Sequence, residues 1–217
     1  TVIFSGIADL STDSLPPFLF YMSGIIIWRY FAECLLKTSE TFTRNAGIFG
    51  KVYFPRLVIP ISIIFSNLIS FSIQLLQLVG FMVYFHIAGA AFRPNGWLFL
   101  TPFLILLMAG IGLGLGIIVS AMTTRYRDLQ NLVKYGVQLL MYTTTVIFPL
   151  SAVPEKYQWI IVLNPVTPVI ETFRFAFLGT ATVGASYLFY SVGFMFLVLF
   201  LGVIIFNRVE QNFMDTV

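Results

Sequence analysis

The 217 residues are 59% hydrophobic and 10% charged, with a net charge of +3 and a pI of about 9.1. Soluble domains carry roughly 25% charged residues, so this chain lacks the polar side chains needed to cover a water-facing surface. The composition excludes an ordinary soluble enzyme and makes a nucleic-acid partner unnecessary to explain the basic pI. A span needs about 20 apolar residues, so the length allows about five or six spans in one membrane domain, 1–217.

Cysteine and histidine each occur once, as Cys34 and His86. An internal disulfide and a cysteine-based metal cluster therefore cannot form within the chain, and the single Cys and single His argue against a Cys/His catalytic dyad or a zinc site. The acidic residues show no paired arrangement typical of a catalytic site, and no nucleotide-binding motif is present. We expect no catalytic residues, no metal and no cofactor on this chain.

The apolar runs predict membrane-spanning helices in chain order. After the apolar end of an earlier span at 1–6 and a polar loop at 7–17, spans are predicted over 18–37, 57–86, 98–122, 131–153 and 185–206. The run 57–86 is longer than a bilayer core requires, which predicts a tilted helix or a break near 67–72. The first span is therefore largely missing, and a six-span bundle is expected.

The distribution of Lys and Arg orients the predicted spans. One side would hold Lys37, Arg44, Lys51, Arg56, Arg125, Arg127, Lys134 and Arg208, and the other Arg93, Lys156 and Arg174. The positive-inside rule assigns the first side to the cytoplasm. With six spans both termini are cytoplasmic, and the segment 154–182 lies on the outer side.

Two charged residues interrupt the run 18–37. Arg29, Glu33 and Lys37 recur every four residues and share one face of a helix. A lone Arg in hydrocarbon costs at least about 2.5 kcal/mol, so such residues face protein or water and find partners. The pattern favours either an internal salt bridge that fixes the helix or a site that faces a channel or another subunit, with Lys37 reaching the cytoplasmic interface.

The run 110–116 contains two pairs of glycines four residues apart, Gly110 with Gly114 and Gly112 with Gly116. Small residues at this spacing let helices approach closely in lipid. The run lacks the Lys-Ser/Thr of a phosphate-binding loop, so we predict close helix packing, with a dimer contact as an alternative.

The segment 154–182 is apolar but divided by Pro154, Pro165 and Pro168 into pieces too short to span. Broken helices at membrane depth are tolerated only where protein buries them or where they line a cavity. Glu171 and Arg174 are three residues apart and can pair on one helix face. The segment is predicted to be either an interfacial cap or a re-entrant pair of short helices that gates an outer exit.

Three strings resemble ABC-2-type permeases that export polysaccharides. They are NAGIFGKVYFPRLVIPISIIFSNLISF at 45–71, RYRDLQNLVKYGVQLLMYTTTVIFPLSAVPEKYQWIIVLNPVTPVIETFRFAFLG at 125–179, and the ending FNRVEQNFMDTV. The matches run along nearly the whole chain in order, and KVYFPR together with LNP and FR is fairly specific. The similar proteins are the permeases that export O-antigen, teichoic acid and capsule. Arg29 in the second span departs from the family pattern.

The resemblance implies an all-α, six-span ABC-2 bundle of the type V exporter kind, with two short outer gate helices between the last two spans. It implies a homodimer that works with two copies of a separate ABC ATP-binding subunit, which holds ATP and Mg²⁺. The expected cargo is a glycan linked to undecaprenyl diphosphate, and the expected location is the bacterial inner (cytoplasmic) membrane, in contact with lipid and not nucleic acid. An N-terminal interfacial helix and most of the first span are expected but missing.

The resulting hypothesis assigns residues to four roles. The ATPase-coupling residues are Ser39, Glu40, Arg44, Asn45 and Lys51, and the candidates for binding substrate phosphate are Lys51, Arg56, Arg125 and Arg127. The candidates for lining a channel are Trp28, Arg29, Tyr30, Phe31 and Glu33. The outer gate would contain Pro154, Trp159, Asn164, Pro165, Glu171 and Arg174.

Three other functions compete with glycan export. The first is an ABC-2 permease for a drug or small lipid; the KVYFPR and LNP pattern favours glycan, but the cargo is set by the partner operon. An ion-coupled secondary transporter predicts inverted repeats and more intramembrane acids than this sequence contains. A membrane-embedded transferase would need essential acids, and only Glu33 or the pair Asp9 and Asp13 is available.

Overall fold

The computed structural model describes residues 15–41, 43–45, 57–90, 92–123, 128–179 and 186–214, with side chains up to 208. Every α-helix and 3₁₀ turn below lies in those ranges. The α-helices are α1 Pro17–Ser39, α2 Val58–Ile87, α3 Thr101–Thr123, α4 Leu129–Tyr142, α5 Glu155–Val162, α6 Thr167–Leu178 and α7 Ser186–Met214. Two 3₁₀ turns, Gly96–Leu100 and Leu150–Ala152, precede α3 and α5. The predicted all-α membrane bundle is confirmed.

Four continuous helices in the described residues are long and apolar enough to cross a membrane. They are Pro17–Ser39, Val58–Ile87, Gly96–Thr123 and Ser186–Arg208, and a fifth is reached if the bent pair α5 and α6 is counted as one span. The predicted end of an earlier span at 1–6 lies outside the described residues. The chain is therefore a membrane protein, with the spans 18–37, 57–86, 98–122 and 185–206 each found as one helix.

Helix α1 occupies the centre of the bundle and contacts α2, α3 and α6. It begins with Pro17 in its first turn, where proline fixes a helical φ and loses no needed hydrogen bond. Most of its side chains are buried, and Leu19, Phe20, Ile27 and Phe31 are fully so. By contrast, α2 exposes most of its apolar side chains, as a lipid-facing helix does.

The run 57–86 forms one continuous helix, so the alternative of a break near 67–72 is wrong. At about 1.5 Å per residue, a helix of this length exceeds the bilayer core of about 30 Å. A tilt, or helix turns that extend beyond the hydrocarbon, accommodates the difference.

The glycines of α3 allow close packing on two sides. A Cβ built on Gly112 would lie 3.0 Å from the Phe31 carbonyl oxygen of α1, and one on Gly116 would lie 2.9 Å from the Leu35 carbonyl oxygen. A Cβ on Gly114 would lie 2.9 Å from the Leu199 nitrogen of α7. The predicted close packing is confirmed, and the two glycine pairs bring α3 against two different helices of its own chain.

The run 131–153, predicted as a span, does not form one continuous helix. Helix α4 ends at Tyr142 and is followed by turns and a 3₁₀ segment. Its 14 residues extend about 21 Å, less than a bilayer core. The hydroxyls of Thr143 and Thr144 donate to the Leu140 and Met141 carbonyl oxygens, a local bond that competes with helix continuation, and Pro149 excludes a helical hydrogen bond further on.

The segment 154–182 contains two short helices, as its prolines predict. Helices α5 and α6 are separated by a bend of 101°. The side chain of Asn164 accepts a hydrogen bond from the Val166 amide, and Ser191 of α7 donates to the Pro165 carbonyl oxygen. Side chains thus satisfy backbone groups in the bend, which is the condition for non-helical backbone at membrane depth.

Candidate functional site: a charged ladder and two polar junctions

Arg29, Glu33 and Lys37 form a ladder along one face of α1. Arg29 Nε donates to Glu33 Oε1 at 3.0 Å, and Lys37 Nζ donates to Glu33 Oε2 at 2.9 Å. The side chains of Arg29 and Lys37 are 62% and 47% exposed, and that of Glu33 is 25% exposed. The i,i+4 pairing that the sequence predicts is confirmed, and the ladder carries a net charge of +1 on an open face.

Polar side chains of α2 continue this face. Lys37 Nζ donates to Asn67 Oδ1 at 2.6 Å, and Asn67 Nδ2 approaches Cys34 Sγ at 3.7 Å. Ser70 and Gln74 line a small cleft together with Arg29, Tyr30 and Glu33. Exposed charge in a membrane span faces water or another protein and not lipid. The α1–α2 face is thus a polar strip within an otherwise apolar bundle.

The aromatic channel candidates lie elsewhere. Trp28, Tyr30 and Phe31 are buried in the core, with exposures of 5%, 4% and 0%. Tyr30 packs against Phe71 of α2, and Trp28 packs against Phe31. Within one chain these rings therefore stabilise the helix packing, while Arg29 and Glu33 face outward.

A second polar cluster joins the end of α1 to α4. Glu40 accepts from Arg44 Nε at 2.7 Å and from Lys134 Nζ at 3.0 Å, although its side chain is only 11% exposed. Gln130 Nε2 donates to Thr43 Oγ1 at 2.7 Å. We call this cluster the Glu40 junction. It brings together segments that the charge distribution assigns to the cytoplasmic side.

Of the predicted coupling residues, Glu40 and Arg44 belong to the Glu40 junction. Ser39 is buried, and its carbonyl oxygen accepts from Thr123 Oγ1 of α3 at 3.3 Å. Asn45 Nδ2 donates to the Thr41 carbonyl oxygen. Lys51 and the phosphate candidates Arg56, Arg125 and Arg127 lie outside the described residues, so their roles stay predictions.

Glu171 and Arg174 form a buried pair at the other end of α1. Arg174 Nη1 donates to Glu171 Oε1 at 2.9 Å, and the two side chains are 2% and 3% exposed. Arg174 Nη2 donates to the Thr145 carbonyl oxygen at 2.9 Å, and the guanidinium lies over the Phe20 ring at 3.8 Å. We call these groups the Arg174 junction. It satisfies a backbone carbonyl at the point where the chain leaves α4.

The remaining gate candidates flank this junction. Pro154 precedes the first residue of α5, and Trp159 on that helix is 65% exposed. Asn164 and Pro165 form the bend between α5 and α6. The Asn95 amide nitrogen and side chain donate to the Ala176 and Phe175 carbonyl oxygens, so the loop before α3 packs on α6. Two segments assigned to the outer side therefore meet.

An open apolar cavity of about 610 Å³ lies between the bundle and the bend. Its walls include Phe31 of α1, Ile111 of α3, Leu140 of α4, Phe194 of α7 and Asn164 in the bend. The volume lies in the range of small-molecule sites, and the lining is almost entirely hydrophobic.

These features define a helical membrane permease with charged residues on an open intramembrane face. Residues 1–178 match the ABC-2 type transporter family, and the chain belongs to this family. It is 29% identical to the O-antigen export system permease protein RfbA of Klebsiella pneumoniae, in an alignment that covers 91% of this chain and 74% of the relative. It is 27% identical to the polysialic acid transport protein KpsM of Escherichia coli, in an alignment that covers 91% of this chain and 74% of the relative. A Myxococcus xanthus O-antigen export permease is 27% identical over 76% of this chain and 63% of the relative.

Sequence reasoning missed three partners of the charged residues. The positive charge of Lys134 indicates only the topology, yet the side chain binds Glu40, 94 positions away in the sequence. Asn67 is a polar residue within the apolar run 57–86, and its side chain accepts a hydrogen bond from Lys37. Thr145 contributes a backbone oxygen, which no side-chain pattern indicates. A signal was available for Asn67, because an isolated polar residue within an apolar run indicates that its side chain has a polar partner.

Proposed function

We propose that this chain is the transmembrane subunit of an ATP-driven exporter that moves a lipid-linked polysaccharide, of the O-antigen type, across the bacterial inner membrane. Two copies of the chain would assemble with two copies of a separate ABC ATP-binding subunit, which supplies ATP hydrolysis. Family membership and the names of the similar permeases support the transport class. The chain itself supplies the path and performs no covalent chemistry.

The observation that carries the proposal is the charged ladder of α1. Arg29 lies in the middle of a membrane-spanning helix; its guanidinium donates to Glu33 through Nε, and 62% of the side chain is exposed. A glycan is rich in hydroxyl groups and, when linked to diphosphate, carries negative charge. Arg presents several donors in a planar fork and suits oxygen-rich groups. An exposed polar strip is compatible with such a cargo and costly in a bundle that faces only lipid.

Transport with the complete two-subunit complex tests this proposal. The complex is reconstituted in lipid vesicles with a fluorescent polyprenyl-diphosphate-linked glycan, and ATP-dependent movement is followed by protection from an added glycosidase. We expect movement that requires ATP and the partner subunit. The variant Arg29→Gln should reduce the export rate, with Gln77→Ala on α2 as a polar control outside the cleft. Movement driven by an ion gradient without ATP would overturn the proposal.

A second candidate function, export of a drug or small lipid, is favoured by the apolar cavity of about 610 Å³. A flexible apolar molecule would fill it without needing the ladder. A competition experiment distinguishes the two functions, with the rate of glycan export measured in the presence of an apolar dye. The dye should slow glycan export only if both molecules use the cavity. Ile111→Trp should fill the cavity and abolish dye transport under this alternative, whereas glycan export along the ladder should persist.

A further inference from the structure

Helix α4 packs on the bundle through a narrow apolar stripe around Val137 and is also held by polar contacts at both ends. Among the residues of this helix only Val137 is buried, and Leu132, Tyr135 and Leu139 are each at least 66% exposed. The stripe is narrow, so the polar contacts at the two ends add to the packing that positions this short helix.

The first end belongs to the Glu40 junction. Lys134 and Gln130 lie one turn apart on α4 and bind Glu40 and Thr43. Lys134 is 51% exposed and Glu40 is 11% exposed, so water competes for the Lys134 ammonium and limits what the pair adds to stability. The pair is better suited to holding two elements in register than to stabilising the fold.

The second end belongs to the Arg174 junction. Thr144, Thr145 and Val146 follow α4 and are fully buried, with exposures of 0%. Arg174 of α6 binds the Thr145 carbonyl oxygen. A Cβ built on Gly24 of α1 would lie 3.1 Å from the Val146 carbonyl oxygen, so the chain passes directly over the α1 backbone. The buried segment that follows α4 therefore packs against α6 and α1 and is not exposed to lipid.

We propose that α4 is a strut that carries displacement of the segment 39–45 to the short helices α5 and α6. The displacement would enter α4 through Glu40, Lys134 and Gln130, which we call the driven end. It would leave through the hydrogen bond between the Thr145 carbonyl and Arg174. The assignment rests on the proposed function, because it takes the partner ATPase as the source of the displacement. It adds Lys134 and Gln130 as coupling residues and identifies the backbone oxygen through which the outer helices are moved.

Physical reasons favour transmission along this path. An α-helix of 14 residues is a stiff element of about 21 Å, so a push at one end arrives at the other. Only the stripe around Val137 packs against the core and the opposite face of α4 is exposed, so displacement of the helix disturbs the packing of one face. A coupling path requires evidence beyond spatial continuity, namely an energetic link between its ends.

Charge exchange tests the driven end in the complete two-subunit complex in lipid vesicles, with ATP hydrolysis and glycan export measured together. In Lys134→Glu and Glu40→Lys, like charges replace the attraction. We expect ATP hydrolysis to continue while export per ATP falls roughly tenfold, a factor equivalent to about 1.4 kcal/mol. The double exchange Glu40→Lys/Lys134→Glu should recover most of the export. Gln138→Ala, an exposed polar position one turn further on α4, is the matched control and should export normally.

A covalent link provides a second measurement that does not depend on the charge variants folding well. Glu40→Cys and Lys134→Cys are joined by a short thiol-reactive linker, with the buried Cys34 replaced by Ser. A strut must move with segment 39–45, so linked complexes should export as well as unlinked ones. Blocked export after linking would overturn the inference, since it would mean that the junction has to open.

The two levels of failure are distinguishable. If the unaltered complex exports no glycan with ATP, the proposed function is wrong. If it exports glycan and both single charge variants export like Gln138→Ala, the function stands and the strut is wrong. Failure of the double exchange to recover export would likewise contradict a role for the pair itself.

Discussion

The two intramembrane charge groups have similar sequence spacing and different surroundings. Glu171 and Arg174 are almost fully buried, and a backbone carbonyl and an aromatic ring complete the site. Arg29, Glu33 and Lys37 lie on an open face, with Arg29 62% exposed. A buried pair depends on every contact because water cannot replace a lost partner, whereas an exposed ladder remains available to a ligand.

The difference teaches that intramembrane charge alone does not define a transport site. The Arg174 junction holds α6, the end of α4 and α1 together, so its charge is committed to the fold. The ladder contributes to the helix surface and leaves guanidinium donors on its open side. Substitutions should therefore separate stability from transport, with the largest stability effect at Arg174 and the smallest at Arg29.

The largest effect is expected for Arg174→Met. This change leaves Glu171 buried without its cationic partner and should lower the free energy of unfolding by about 3–5 kcal/mol. Thermal or chaotrope-induced unfolding in detergent micelles measures the loss. The double variant Glu171→Gln/Arg174→Met removes both charges and should recover a large part of it. Equal stability of the single and double variants would contradict the importance of the uncompensated charge.

A smaller loss is expected where α3 touches α1. In Gly116→Ala the new Cβ would lie 2.9 Å from the Leu35 carbonyl oxygen, a backbone atom that cannot rotate away. Overpacking of this kind costs about 1–3 kcal/mol. The matched control is Gly80→Ala on α2, where nothing lies within 4 Å of the added Cβ. The same unfolding measurement should find the control unchanged or slightly stabilised, and equal losses would refute the close approach of α3 and α1.

Much of this architecture follows from the sequence because lipid imposes simple rules. Long apolar runs predicted four spans, the glycine spacing predicted a closely packed helix, and prolines predicted the short helices of 154–182. Hydropathy did not predict that the helix within the run 131–153 ends at Tyr142. It measures whether residues tolerate the membrane, whereas the threonines after Tyr142 and the proline at 149 decide whether the backbone stays helical. Composition also cannot show that the buried Arg174 donates a hydrogen bond to the Thr145 carbonyl oxygen, which lies in the non-helical segment after α4.

The candidate site was predicted less completely than the fold. Helical spacing predicts contacts within one helix, so the Arg29, Glu33 and Lys37 ladder was found. Contacts such as Glu40 with Lys134 join positions far apart in the sequence, and their partners depend on how the helices are arranged in space. The aromatic channel candidates are hard to assign for a related reason, since hydrophobicity does not distinguish a ring packed in the core, such as Tyr30, from one that lines a cavity, such as Phe31.

The smallest stability effect is expected for Arg29→Gln, and it gives the sharpest comparison with Arg174. Glu33 keeps Lys37 as a partner at 2.9 Å, and exposed ion pairs contribute only about 0–1 kcal/mol. The unfolding transition should therefore move little. Export should nevertheless fall, because the guanidinium donors on the open face are lost, while Arg29→Lys retains the charge and should export at an intermediate rate. If Arg29→Gln instead destabilises the chain as strongly as Arg174→Met, the ladder is a structural element and the contrast between the two charge groups does not hold.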